Sequence, residues 1–236
     1  WLERQASFFL TGGLVAVHAK ERTRDSIWQA LFDREVYGTS GDRILLWFDL
    51  INAGENRVPM GSQLEFDGSP KFRVRAAGAF EQLPGCPDEV TNALGVERID
   101  RICAGECYHP SDERRQITRI EVVRIRQQLA ETEAVEDLIE DPWLTIPCPV
   151  DTEVCEVEFE DPWYASADRE VLYYVRAIQE PTQAVNAGLL RCEGDDCDPC
   201  YGDYRVPFDE DCLSTTQERA WSSPIYLSAS GRAETP

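Results

Sequence analysis

Alternation of apolar and polar residues at period two constrains this chain more than any other feature. Between 71 and 77, Phe72, Val74 and Ala76 fall on one side, and Lys71, Arg73 and Arg75 on the other. Successive side chains of a strand point to opposite faces, so such a segment buries one face and wets the other. The signature recurs at 154–159 and at 170–178, where Val171, Tyr173, Val175 and Ala177 share a face. Residues 43–50, 117–125 and 221–227 are further apolar-rich strand candidates. Strands separated by Gly/Pro turns and long loops predict a mainly β chain, with an antiparallel β-sandwich-like domain over residues 43–228. Within it, 78–116 reads as a long cysteine-bearing insertion, and 127–140 as an ambiguous, helically charged stretch stopped by Asp141-Pro142. Residues 229–236 read as a tail.

The first 42 residues follow another rule. Gly12-Gly13 opens a short apolar run, Leu14-Val15-Ala16-Val17, which reads as a strand buried on both faces, as in parallel sheets. Thr23 or Asp25 can cap a helix in which Ile27, Ala30, Leu31 and Arg34 recur at helical spacing, and Gly38 and Gly41 end it. This predicts a strand-helix unit of the kind that repeats in α/β folds. Trp28, Phe32 and Trp221 are expected to pack it against the sandwich.

The 44 acidic and 23 basic residues leave a net charge of −21, which opposes binding to a phosphate backbone and excludes a nucleic-acid partner. No apolar run reaches the ~18 residues of a membrane helix. The chain starts at Trp1, and residues 2–9 lack the basic start and apolar core of a signal peptide. The expectation is therefore a start within a longer polypeptide.

Nine cysteines, Cys86, Cys103, Cys107, Cys148, Cys155, Cys192, Cys197, Cys200 and Cys212, lie near Gly, Pro or Asp. Loop placement of this sort points to disulfides and an oxidising, secreted or periplasmic compartment. Cys148 and Cys155 flank a turn-rich segment short enough for a local bridge, and the last four are expected to pair among themselves. Zinc is the rival reading, but paired C-x2-C knuckles are missing and Asp195, Asp196 and Asp198 crowd the loop. The acidic stretch 193–211 offers carboxylates for calcium without a recognised calcium-loop motif, a weaker reading. His109, beside Pro110, reads as a surface group rather than a ligand.

A resemblance covers nearly the whole chain. Gly12-Gly13-Leu14-Val15-Ala16-Val17-His18-Ala19, then Thr23-Arg24-Asp25 and Arg34-Glu35-Val36-Tyr37-Gly38-Thr39-Ser40-Gly41-Asp42-Arg43-Ile44, are similar to the end of the catalytic domain in PHP-type (polymerase and histidinol phosphatase) metallohydrolases. The nearest likeness is to a secreted bacterial branch known as a domain of unknown function. Val58-Pro59-Met60-Gly61, Ile120-Glu121-Val122-Val123, Tyr173 to Thr182 and Gln217 to Ile225 match the same branch in order.

The resemblance implies that residues 1–42 are the last strand-helix piece of a distorted α/β barrel, a PHP-like barrel formed by upstream residues of the same polypeptide. That barrel would hold a divalent metal cluster through H-x-H and D-x-H motifs. This chain has only His18 and His109, in neither motif, so the ligands are expected upstream and no cofactor is expected here. His18 and Ala19-Lys20-Glu21-Arg22 also depart from the family's aromatic and Ala-Glu-Glu residues at that place. Barrel loops at strand C-termini carry function, which makes Glu21, Arg22 and Arg24 weak site candidates; helix capping and solvation explain them as well. Arg43 is another, for an anionic oxygen or for a structural tie. Two functions are expected: the C-terminal portion of a metal-dependent hydrolase, on phosphoesters or similar substrates, or a non-catalytic secreted binding or assembly module. The oligomeric state is left open.

Overall fold

A computed structural model describes residues 12–54, 57–103, 107–150, 152–167, 169–185, 191–193, 196–198 and 213–228. Two antiparallel sheets dominate. The smaller holds β3 (Leu45–Leu50), β4 (Val58–Pro59), β6 (Lys71–Ala77) and β11 (Cys155–Glu160), in the order β11-β6-β3-β4. The larger has eight strands. Its path runs β1 (Leu14–Val17), β2 (Val36–Thr39), β15 (Leu213–Ser222), β12 (Val171–Val185), β16 (Ile225–Ser228) and β5 (Gln63–Glu65). β9 (Ile117–Arg126) pairs with β12, and β10 (Ile139–Pro147) with β9. All these pairs are antiparallel except β16 with β5.

The alternation explains why the sheets face each other. Phe72, Val74 and Ala76 of β6 are fully buried, whereas Lys71 and Arg73 point outward and pair with Glu160, Glu156 and Glu158 of β11. From the other sheet, Ile120, Val122, Tyr173, Val175, Ile225 and Leu227 enter the same core. The layers touch where the rings of Phe72 and Tyr173 lie 4.8 Å apart, with Trp143 6.0 Å from Tyr173. Burial of a side chain of this size stabilises by about 1.5–3 kcal/mol, which makes the Phe72–Tyr173 region the centre of cohesion.

Several expected elements differ. The stretch 127–140 is not a helix: a 3-10 turn (Val135–Asp137) leads into β10, and Asp141-Pro142 lies within that strand, where the pairing shifts register. The shift takes the residue that cannot donate a ladder bond. The single strand expected over 221–227 is two, because Ser223-Pro224 turns the chain between β15 and β16. The insertion at 78–116 is a hairpin of β7 (Phe80–Pro84) and β8 (Tyr108–Arg114), carrying α2 (Asp88–Leu94) and α3 (Val96–Cys103). A Cβ at Gly78 would lie 1.9 Å from the Arg115 carbonyl oxygen, so glycine lets the hairpin's two ends close at its base.

At the start of the chain, the helix is α1 (Arg24–Phe32), capped by the Thr23 hydroxyl, which accepts from the Ser26 amide. The expected parallel, doubly buried strand is corrected: β1 runs antiparallel to β2, with Leu14 44% and Val15 67% exposed. β2 continues into the larger sheet by pairing with β15. The expected contact through Trp28 and Phe32 is absent, since they are 67% and 74% exposed. Tyr37 is the buried aromatic instead, its hydroxyl donating to the Ile44 carbonyl.

Candidate functional site

The unit made by β1 and α1 carries several exposed apolar side chains. Leu14 and Val15 on the strand, and Ile27, Trp28, Leu31 and Phe32 on the helix, are all exposed. Ala30 alone of the helix is buried. β1 also ends the sheet, so among the described residues its outer edge has no strand partner. Among the described residues, an uncovered strand edge next to a helix with four exposed apolar side chains has the composition of an interface, with Leu14 and Val15 projecting from opposite faces of the strand.

Local chemistry holds this face in place. Arg34, past the end of α1, adopts φ 61°, and its carbonyl meets Gly61 between β4 and β5. A Cβ on Gly61, at φ 88°, would come within 2.3 Å of that oxygen. Only glycine permits this approach, which fixes the helix end against the β4–β5 turn. Beneath β1, His18 Nε2 donates to the Leu46 carbonyl at 2.9 Å, and its ring lies 5.4 Å from Tyr37 and 5.9 Å from Trp47. Burial raises the Tyr37 hydroxyl pKa. Asp49, 6% exposed, has its carboxyl pushed up by burial, against the opposing pull of Arg57 at 3.3 Å, Arg75, His18 and Arg73. This is a buried carboxylate with a solvated partner, a cost in stability rather than a gain.

The residues singled out by sequence separate. Glu21, Arg22 and Arg24 line the 18–24 loop and the helix start, all exposed, and Arg43 is exposed ahead of β3. None of the four enters a side-chain ion pair among the described residues. Cys148 and Cys155 are bridged, as are Cys86 and Cys107. Cys103 keeps a free thiol. Cys192 and Cys197 sit opposite each other in the short pair β13 (Arg191–Glu193) and β14 (Asp196–Asp198). Cys200, Cys212 and most of the 193–211 acidic stretch lie outside the described residues.

Sequence reasoning missed a second polar centre, in the core beside the sheet interface. Asp161, 1% exposed, accepts from Arg124 Nη1 and from the Tyr173 hydroxyl, both at 2.7 Å, and its other oxygen accepts from the Trp163 amide at 3.1 Å. Arg124 also forks onto Glu140 at 2.6 and 2.9 Å, and lies 4.4 Å from the Trp143 ring and 4.9 Å from that of Trp163. Its guanidinium pKa is raised: burial works against the charge, and Glu140 and Asp161 outweigh it. The Tyr173 hydroxyl pKa is raised strongly, by burial first and then by Asp161, and burial pushes that of Tyr164 up to about 12. Asp161, Arg124 and the Tyr173 hydroxyl all find hydrogen-bond partners within the network. The network holds structure rather than substrate. Arg124 falls on the same strand face as Ile120 and Val122, and that placement is the signal in the sequence.

A metal cluster of the kind the resemblance implied needs His and carboxylate groups that converge. Among the described residues, the group that converges is Cys86, Cys103 and Cys107, so the side chains described here do not fit such a cluster. No helix of the described residues is long and apolar enough to cross a membrane.

The fold defines a class: a mainly antiparallel β protein built on two large sheets, with a strand-helix unit at one sheet edge whose apolar side chains are exposed among the described residues. The profile of the family described as "Protein of unknown function (DUF3604)" matches residues 2–229, and the chain belongs to that family. It is 40% identical over 62 residues to an uncharacterized protein of Chlamydia pneumoniae, and 42% identical over 62 residues to one of Chlamydia muridarum. Each alignment covers 26% of this chain and 9% of the relative. No solved structure matches the chain.

Proposed function

We propose that this chain is the C-terminal portion of a secreted, PHP-type metal-dependent hydrolase, and that β1 and α1 complete an upstream barrel of the same polypeptide. The observation that carries the reading is the uncovered strand-helix unit: among the described residues, a free strand edge, with Leu14, Val15, Ile27, Trp28, Leu31 and Phe32 exposed on the strand and the helix. In a barrel, a strand needs partners on both edges and a helix covers its outer side. Among the described residues β1 has one strand partner and α1 has exposed apolar side chains, so an upstream strand and helix would supply what both lack. Relative length agrees: 62 residues make 9% of each relative, so those proteins are roughly 690 residues long, by 62 divided by 0.09.

Metal ligands and the activated water would belong to the upstream part, and no step of the chemistry is assigned to residues of this chain. Its contribution is to close the barrel and to carry the β domain. The test compares the full-length parent with the 236-residue chain, by elemental analysis for bound metal and by turnover of an aryl phosphodiester. Metal-dependent turnover by the parent alone is expected. Turnover by the short chain would overturn the reading, and a metal-free, inactive parent would leave a non-catalytic binding module.

A further inference from the structure

The hairpin at 80–116 lacks what holds the rest of the protein together. None of its described residues is buried. Leu83, Leu94, Val96, Ile102 and Tyr108 are 39–64% exposed. A unit this small without an apolar core needs a covalent or metal staple to keep one shape. Its helices, α2 and α3, return the chain so that three cysteines meet at its neck. Cys86 follows β7, Cys107 precedes β8, and Cys103 ends α3. The three sulfurs lie within 4.8 Å of one another, partly accessible, with Cys103 Sγ 3.9 Å from Cys86 Sγ.

We propose that Cys86, Cys103 and Cys107 form a redox-gated site for a thiophilic divalent cation, with zinc as its chemical type. In the oxidised state, Cys86 and Cys107 are bridged and Cys103 is a spectator thiol. A dithiol reductant supplies two electrons and two protons and leaves as its own disulfide, and three thiols then share the neck. Binding of the cation displaces their protons and replaces the covalent staple by three metal–sulfur bonds. Thiolates on tetrahedral zinc, with Zn–S about 2.3 Å, stand about 3.8 Å apart, the spacing that Cys103 and Cys86 already have.

A second observation supports the site. His109, two residues beyond Cys107 on β8, has Nδ1 donating to the carbonyl of Gly85 at 2.8 Å, directly before Cys86. A backbone carbonyl on one ring nitrogen is the arrangement that fixes a histidine's tautomer and leaves Nε2 as a ligand atom. Its nitrogens are outside the 4.8 Å sulfur group, so the fourth position goes to His109 after a ring movement, or to water.

The site does not depend on the barrel proposal, and the 236-residue chain suffices to test it. Cys148, Cys155, Cys192, Cys197, Cys200 and Cys212 are replaced by serine, so that reduction leaves no thiols but those of the neck. The chain is offered zinc alone, either as purified under oxidising conditions or after reduction by a phosphine, which gains oxygen from water as the bridge becomes two thiols. After desalting, bound zinc is counted by elemental analysis, with the cadmium–thiolate absorption band as a second readout. One zinc per reduced chain and none per oxidised chain is expected. Cys103→Ser should weaken uptake by at least about ten-fold, as ligand-shell losses do, while peptide mapping still finds the Cys86–Cys107 bridge in its oxidised form. Equal zinc in Cys103→Ser, no zinc in the reduced chain, or zinc in the oxidised chain would each overturn the proposal.

Discussion

Replacing Arg124 by methionine should be among the most damaging single changes in this protein. The Arg124 side chain is 9% exposed and its partner Asp161 1%. Arg124→Met removes one contact to Asp161, two to Glu140, and the stacking on Trp143 and Trp163. The losses are unequal. Glu140, 30% exposed, regains water, so its two contacts count for little. Asp161 cannot, and its carboxylate is left facing only the Tyr173 hydroxyl and the Trp163 amide. Stranding one member of a buried ion pair costs about 3–5 kcal/mol. Asp161→Asn keeps the shape and should cost less, about 1–3 kcal/mol. In the double variant the uncompensated charge is gone, so the two losses should overlap by roughly 1–3 kcal/mol. Urea unfolding followed by far-UV circular dichroism, with an unchanged denaturant slope, reads all three. A cost below about 1 kcal/mol for Arg124→Met, or strict additivity in the double variant, would refute the reasoning.

Three further outcomes follow from the same geometry. Burial raises the Asp49 carboxyl above its unfolded value, so its stability contribution is present at low pH and is lost as pH rises through the folded pKa. Asp49→Asn should therefore be at least as stable as the parent at pH 7, with the difference vanishing below pH ~4; a variant less stable at pH 7 than at pH 4, relative to the parent, would contradict this. Gly61→Ala should destabilise by about 2–4 kcal/mol, because the new Cβ meets the Arg34 carbonyl at a positive φ, and amide exchange should speed up in α1 before the β sheets. Cys148→Ser with Cys155→Ser should cost about 2–3 kcal/mol by loop-closure entropy, and peptide mapping of the unreduced chain should recover both Cys148–Cys155 and Cys86–Cys107.

Period-two patterning made the two-sheet core legible, because burial of one strand face writes itself into every second residue. β6 occupies the very segment that alternates, and Tyr173 and Val175 face the core as expected. Strands without that imprint were missed. β8 spans Tyr108–Arg114 with no buried residue, and β10 carries Pro142 inside it and sets the adjacent Trp143 and Leu144 against the core, so neither shows a clean alternation. The Leu14–Val17 run showed the opposite failure. It reads as buried on both faces, whereas Leu14 and Val15 are exposed and Ala16 and Val17 half-buried among the described residues. Trp28 and Phe32, expected to pack on the sandwich, are exposed instead. The Arg124–Asp161 network could not be paired from sequence, as 37 residues separate its partners and only the fold joins them. The Cys148–Cys155 bridge could be, because its loop is short. Cys86–Cys107 required the intervening helices to double back.

Whether the β1–α1 face is an interface with upstream residues can be measured by complementation. The upstream part of the parent and the 236-residue chain are produced separately, mixed, and run on size-exclusion chromatography, with amide exchange followed across residues 14–32. The account predicts a one-to-one complex, slowed exchange in β1 and α1, and loss of both when Trp28→Asp and Phe32→Asp are combined, while the β sheets of the variant melt as in the parent chain. A complex that survives the double substitution, or unchanged exchange across 14–32 on mixing, would contradict it.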